Sequence, residues 1–276
     1  MLLKVHGEDA YCYTGGKEFN AALPTAVFIH GAQNDHSVWG LQTRYFAHHG
    51  FGVLAVDLPG HGRSGGAPLA TVEAMADWLL ACLDAAGARR AVLIGHSMGS
   101  LIALETAYRA PQRVAGLAMV GTAWPMKVSP ALLEASLERE QDAIDMVNIW
   151  SHSTLAQKPS SPGPGFWVMG GSRRLMQYVS SRNPARVFHT DFSACNAYAA
   201  GATSAAGVQC PTMFLLGKRD QMTPPRAASR LIDAMPHAEV NFIEDCGHQL
   251  MAEQPDAVLD RLYGFSARLA PAMGDA

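Results

Sequence analysis

Short apolar runs alternate with longer stretches of helical period along most of this chain, and that alternation limits its possible folds more than any other feature. The runs are residues 25–30 (TAVFIH), 52–56 (GVLAV), 91–94 (AVLI), 115–120 (AGLAMV), 211–216 (PTMFLL) and 239–243 (EVNFI). Each has the length and content of a strand buried in a parallel sheet. Between them, residues 71–86 set Val72, Met75, Ala76, Leu79, Leu80 and Leu83 on one helical face. Residues 97–110, 225–235 and 255–269 read the same way. Such a chain closes right-handed strand–helix–strand crossovers into a mostly parallel sheet with helices on both faces. Residues 2–13 have no helix before Gly15-Gly16 and read as an antiparallel hairpin. The fold class is α/β.

Composition narrows the function. The 276 residues are 49% hydrophobic and 16% charged, which is the opposite of the balance a disordered chain needs. Lys+Arg at 21 against Asp+Glu at 24 gives a net charge of −3 without a long run of either sign. No basic field exists to hold a nucleic-acid backbone. Cys12, Cys82, Cys195, Cys210 and Cys246 are scattered, odd in number and form no CxxC pair, against a disulfide framework or a zinc site. The start lacks the pattern of a signal peptide, and no run of about 18 apolar residues occurs. A cytoplasmic protein without a membrane span is the expectation.

Residues 123–207 break the alternation. They turn helical and irregular around SHSTLAQKPSSPGPGFWVMGG, and hold three of the five tryptophans (Trp124, Trp150, Trp167) and four of the 13 methionines. One reading is a helical excursion whose aromatics form its own small core. The other is a lid whose Trp and Met face an apolar ligand. The expected organisation is a core of residues 1–122 and 208–276 with a helical cap at 123–207. Trp124, Trp150 and Trp167 are candidate substrate contacts, while Arg173, Arg174, Arg182 and Arg186 form a solvated face or recognise a substrate carboxylate.

Glycines follow the apolar runs directly, at Gly31, Gly60 and Gly62, Gly95 and Gly99, Gly121, and Gly217. In an open parallel sheet the carboxyl ends of the strands form the ligand-binding edge. The central signal is Gly95-His96-Ser97-Met98-Gly99, between the strand AVLI and a helical stretch. A nucleophile on a sharp strand-to-helix turn needs small residues on both sides and stands at a helix N-terminus. The pattern alone is weak, because Gly62-Arg63-Ser64-Gly65-Gly66 matches it too. Ser64 lacks the strand–turn–helix context and reads as loop, which leaves Ser97 as the candidate nucleophile.

A serine hydroxyl needs a base. Of the 11 histidines, His248 follows the last strand on a loop at the carboxyl edge. The base needs a carboxylate to set its tautomer, and Asp220 follows the strand PTMFLL by a few residues. Its alternative role is an Asx turn before Pro225. Glu244 and Asp245 share the loop of His248 and are poorly placed to reach its ring, and the strand ending at Gly121 offers no carboxylate. Oxyanion donors are expected from the N–H groups of Met98 and Ala32. His30 is expected to hold that loop and is carried as a substrate-side candidate.

These motifs, in this order and spacing, resemble the α/β-hydrolase superfamily, and within it esterase and lipase-like members with a helical cap. The likeness spans nearly the whole chain outside residues 123–207. It includes Asp57-Leu58-Pro59-Gly60-His61-Gly62-Arg63-Ser64, which makes Ser64 part of a common loop. The resemblance implies a nucleophile, acid and base at Ser97, Asp220 and His248, an oxyanion hole at Ala32 and Met98, and no metal or organic cofactor. Two positions depart from it. Ser100 replaces a second glycine, and Gln249 stands where relatives that cleave carbon–carbon bonds carry an aromatic. Serine rather than aspartate at 97 argues against dehalogenase and epoxide hydrolase chemistry. The expected activity is cleavage of a small or medium apolar or aromatic carboxylic ester through an acyl-enzyme. Meta-cleavage-product, lactone and thioester hydrolysis stay open, as does a hydrolase-fold receptor with little turnover. Oligomeric state, monomer or homodimer, is left open.

Overall fold

A computed structural model of the chain describes residues 1–153, 167–183 and 185–273, so most of the glycine- and proline-rich stretch singled out above lies outside the described residues. The elements run Leu2–Val5 (β1), Glu8–Tyr13 (β2), Thr25–Ile29 (β3), Gly40–His48 (α1), Gly52–Val56 (β4), Val72–Ala85 (α2), Ala91–His96 (β5), Met98–Arg109 (α3) and Val114–Val120 (β6). Then follow Pro130–Glu138 (α4), Glu140–Ser151 (α5), Val168–Arg182 (α6), Val187–Ala197 (α7) and Gly201–Gly207 (α8). Thr212–Gly217 (β7), Ser229–Ala234 (α9), Glu239–Ile243 (β8), Leu250–Glu253 (α10) and Pro255–Leu269 (α11) complete the chain.

Each apolar run forms its strand, and they assemble in the order β1-β2-β4-β3-β5-β6-β7-β8. β3 to β8 are parallel to one another, while the β1–β2 hairpin joins β4 antiparallel. β3 to β7 are buried along their whole length because helices cover both faces. Alternate side chains serve opposite layers. Val27, Ile29, Leu93 and Phe214 pack under α2 and α3, and Phe28, Ile94, Met213 and Leu215 pack under α1 and α11 with Trp39 and Phe46. Thr71 starts α2 by accepting the Ala74 N–H on its hydroxyl at 3.1 Å. Residues 225–235 give less helix than their period implies. A 3₁₀ turn at Pro225–Ala228 takes the first residues of that period, and α9 follows it.

Among the described residues, the five helices between β6 and β7 divide in two. α4 to α7 share a hydrophobic cluster of their own, built on Leu132, Ile144, Val147, Met176, Phe188 and Phe192. α8 belongs to the layer over the sheet, where buried Glu105 of α3 accepts from Tyr198 Oη and Ser204 Oγ at 2.7 Å each. No helix among the described residues is long and apolar enough to cross a membrane.

Candidate active site

Ser97 sits between the last residue of β5 and the first of α3, with φ 51° and ψ −118°. A left-handed φ is unusual for a side chain other than glycine, and such strain gathers at functional sites. Its neighbours make room for it. A Cβ at Gly95 would run into Gly99 O, and a Cβ at Gly99 would run into the carbonyls of Ile29 and His30. Ser100, the departure noted in the sequence, uses its hydroxyl to tie Ser97 O (2.5 Å) to Thr122 Oγ1 (2.7 Å), linking the turn to the end of β6.

The loop after β7 brings Asp220 under the ring of His248, with Oδ2 at 2.8 Å from Nδ1. Asp220 is an Asx turn and an imidazole partner at once. Its Oδ1 accepts the N–H groups of Met222 and Thr223 at 2.8 Å each, which leaves Oδ2 for the histidine. Burial pushes the carboxyl up, but the imidazole and the Thr223 donors outweigh it and hold its pKa below the ordinary value. An ionised Oδ2 requires hydrogen on Nδ1, so the lone pair of a neutral His248 lies on Nε2. Glu244 and Asp245 turn outward to Lys218 and Arg219.

Sequence reasoning missed the supports of this pair. Thr223 Oγ1 lies 2.7 Å from Asp220 Oδ2, 3.0 Å from His248 Nδ1 and 2.9 Å from Gly121 O. The His248 loop docks on the end of α5, where Ser151 O accepts from His248 N (2.8 Å) and Gln249 N (3.0 Å). Buried Glu253 accepts the Gly247 N–H at 2.9 Å, and burial raises its pKa. From below, His96 Nε2 donates to His248 O at 2.8 Å. Burial first, then the nearby His248, lowers the His96 pKa to about 3 and keeps that ring neutral. A threonine in a T-P-P turn and a serine ending a helix carry no signal in a single sequence.

The loop after β3 lies against the Ser97 turn, since a Cβ on Gly31 would be 3.1 Å from Ser97 Cβ. Both ring nitrogens of His30 are spent on backbone groups, one in this loop and one in the loop after β4. Nδ1 donates to Gly31 O at 2.8 Å, and Nε2 accepts the Leu58 N–H at 3.2 Å. Burial and the neighbouring His61 lower its pKa to about 4. His30 therefore ties this loop to the loop after β4 and is not among the residues that line the cavity described next. Met98 opens α3, where N–H groups have no intrahelical acceptor. Ser64 is loop structure, donating to Asp57 O at 2.6 Å and accepting the Tyr11 N–H at 2.9 Å.

Ala32, Ser97, Thr223 and His248 share the floor of a cavity of about 220 Å³. Met126, Val128, Leu132, Trp150, Phe192 and Met222 form its apolar wall. Of the three tryptophans expected there, Trp150 takes part. The Trp124 indole instead packs over Gly201, and Trp167 is 64% exposed at the start of α6. Neither is a lining residue, because composition cannot say which face of a helical segment turns inward. None of the four arginines lines the cavity. Arg173 pairs with Asp145 at 2.6 Å on the surface of α5 and α6, and Arg182 lies over the Tyr178 ring. The acidic groups of Asp35 and Asp57 approach His36 closely, but Asp57 Oδ1 accepts His36 N and Nδ1, its Oδ2 accepts Arg63 N, and Asp35 caps Ser37 N. That cluster is a knot between loops.

A (E)-2-((N-methylformamido)methylene)succinate hydrolase of Acinetobacter baylyi is 25% identical over 240 residues, 84% of this chain and 86% of its own. A 2-hydroxy-6-oxononadienedioate/2-hydroxy-6-oxononatrienedioate hydrolase of a Pseudomonas species is 27% identical over 263 residues, 88% of this chain and 87% of its own. The solved structure of Est816, described as an N-acyl homoserine lactone degrading enzyme, has a TM-score of 0.81 at 25% identity, covering 96% of this chain and all of that one. The profile of the alpha/beta hydrolase family matches residues 26–261, from β3 into α11, and the chain belongs to that family.

Proposed function

We propose that this hydrolase cleaves carboxylic esters of small or medium apolar acyl groups through a serine acyl-enzyme. One observation carries the reading: Ser97, in a strained turn at the start of α3, opens onto the same apolar cavity as His248, whose Nδ1 is held by ionised Asp220. Ser97 Oγ attacks the acyl carbon while His248 Nε2 takes its proton. The oxyanion is met by the N–H groups of Ala32 and Met98. Collapse expels the alcohol, which receives the proton from His248. Water then repeats the sequence, giving its proton to Nε2 and releasing the acid and Ser97. Helices α4 to α7, with their separate hydrophobic cluster, serve as the cap over this cavity and supply Leu132, Trp150 and Phe192 to its wall. Four buried cysteines and Cys210, all free, suit a reducing cytoplasm.

The test is a series of 4-nitrophenyl esters of rising chain length, run on the native protein and Ser97→Ala. Turnover should peak at a short or medium chain, and the variant should lose several orders of magnitude in kcat. A Ser97→Ala protein that keeps near-native rates would remove the nucleophile assignment. A native protein that releases one equivalent of nitrophenol and stops would be a receptor. Lactone opening by the same residues is the second reading, favoured by the likeness to Est816 over 96% of this chain and all of that one. Acyl homoserine lactones as substrates in the same series decide between them.

A further inference from the structure

Gln33, the residue after Ala32, has φ 57° and is fully buried. Helices α6 and α7 both hold it. Its side-chain Nε2 donates to Met176 O at 3.0 Å and to Ser180 Oγ at 2.5 Å, on α6. Its backbone N–H donates to Oδ2 of Asp191 at 2.8 Å, on α7 and 158 residues away. The other end of the same peptide is also bound, since Asn34 Nδ2 donates to Ala32 O at 2.9 Å.

Asp191 Oδ2 has a second partner. His61 Nε2 lies 2.8 Å from it, and His61 Nδ1 lies 3.0 Å from Pro59 O. A carboxylate and a carbonyl are both acceptors, so both ring nitrogens carry hydrogen and His61 is an imidazolium. Burial works against that charge, but Asp191 outweighs it and raises the histidine above its ordinary pKa. A buried ion pair alone would be glue between α7 and the loop after β4. The third donor gives this one a further consequence. One charged oxygen, fully buried, gathers the imidazolium of the His61 loop and the peptide adjoining Ala32. Asp191 is also flanked on its helix by Phe192, which walls the cavity.

We propose that Asp191 is a positioning residue that holds the Ala32 N–H in register with Ser97, so that α7 sets the oxyanion donors as well as the acyl wall. This rests on the reading of Ala32 as an oxyanion donor. His61 fixes the carboxylate, the carboxylate fixes the Ala32–Gln33 peptide, and the donor one Cα away inherits that order. The core strand alone ends at Ile29, four residues short of Gln33.

Asp191→Asn tests it, because the amide keeps the shape of the side chain but lacks the charge that holds an imidazolium and a peptide N–H on one oxygen. Losing an oxyanion donor outright lowers kcat by about 10²–10³. A displaced donor should lower kcat at least about tenfold while KM stays within about threefold. An alkyl boronic acid, which forms a tetrahedral adduct with the serine, should lose affinity by the same factor as kcat. The neutral carboxamide of the same chain should bind as before. An unchanged kcat, or an equal loss for both ligands, overturns the proposal. Should Asp191→Asn not fold, His61→Gln, which puts a neutral amide in place of the imidazolium and so holds Asp191 more weakly, is read with the same two ligands. A loss confined to the boronate supports the link, and any other pattern overturns it. The native protein keeps the two readings apart. If it neither turns over esters nor binds the boronate, the esterase reading has failed. If it does both through Ser97 and Asp191→Asn matches it, the positioning role alone has failed.

Discussion

Asp220→Asn changes one atom of the side chain and should stop the chemistry without undoing the fold. Its two oxygens have separate tasks: Oδ1 accepts Met222 N–H and Thr223 N–H, and Oδ2 faces His248 Nδ1 and Thr223 Oγ1. An asparagine must keep its oxygen on the Oδ1 side, because the other rotamer sets an NH₂ group against two backbone N–H donors. Each backbone bond contributes about 1 kcal/mol, and leaving a buried donor without a partner costs about 1–3 kcal/mol more. The orientation is therefore decided by several kcal/mol. The NH₂ group then points at His248 Nδ1 and donates to it. Hydrogen moves from Nδ1 to Nε2, and the nitrogen that should take the Ser97 proton no longer has a lone pair. Enforcing the wrong tautomer lowers kcat by about 10⁴ in a serine protease triad, which is about 5.5 kcal/mol of barrier.

Turnover of a 4-nitrophenyl ester gives the rate, and labelling of Ser97 by a fluorophosphonate gives its nucleophilicity. Both should fall together. The melting temperature should fall by several degrees without loss of the fold, since two of the four contacts survive and a charge-assisted bond is worth about 1.5–3 kcal/mol. Asp245→Asn is the control. That carboxylate is half exposed and pairs with Arg219 at 2.8 Å, so its loss should leave kcat within about twofold. Asp220→Asn within tenfold of the native rate, or Asp245→Asn inactive, would refute the division of labour between the two oxygens.

Two other expectations follow from buried groups around the site. Thr223→Val keeps the volume but removes the hydroxyl shared by Asp220, His248 and Gly121. It should lower stability by about 1–3 kcal/mol and kcat by roughly tenfold, with Thr223→Ser restoring most of the rate, and an unchanged kcat in the valine variant would confine Thr223 to the fold. Unfolding free energy should fall as pH drops from 6.5 toward 4. His96 and His30 have folded pKa values lowered to about 3 and about 4, so the unfolded chain binds about two protons that the native state does not. The slope is roughly 3 kcal/mol per pH unit. His61, raised by Asp191, is protonated in both states only in the lower part of that window and adds no slope there; its contribution is lost at higher pH, as the folded pKa is passed. Chemical denaturation at pH 7, 6 and 5 measures this, and a flat profile would mean these rings are not neutral in the native state.

What could be read in the sequence was what is local. The Ser97 turn is written in five consecutive residues between a strand and a helix, and each strand end that carries a site residue has its own apolar run. Asp220 and His248 were recoverable because each follows such a run and has few rivals. Asp191, His61 and Gln33 meet across 130 and 158 residues, and their register depends on how α7 seats on the sheet. No period or spacing encodes that. The tryptophans show the same limit from another side: Trp124, Trp150 and Trp167 were equivalent as composition, yet only Trp150 among them turns its face to the cavity.

The supports of the site come from both layers of the molecule, and this constrains how its specificity can change. Leu132, Trp150 and Phe192 wall the cavity from α4, α5 and α7. The same α5 ends at Ser151, whose carbonyl holds the backbone of His248, and the same α7 carries Asp191, which holds the peptide beside Ala32. On the proposed reading, a substitution that shifts α5 to enlarge the cavity therefore also moves the carbonyl that holds His248, and one that shifts α7 moves the carboxylate that holds the peptide beside Ala32. Side-chain changes that leave these helix axes in place, such as Phe192→Ala, can lengthen the accepted acyl chain at constant kcat. Changes that move the axes cannot, because positioning errors on the order of 1 Å reduce rates about a hundredfold. In the proposed esterase, specificity would be free to vary at the tips of the wall residues and bound to catalysis at their backbones.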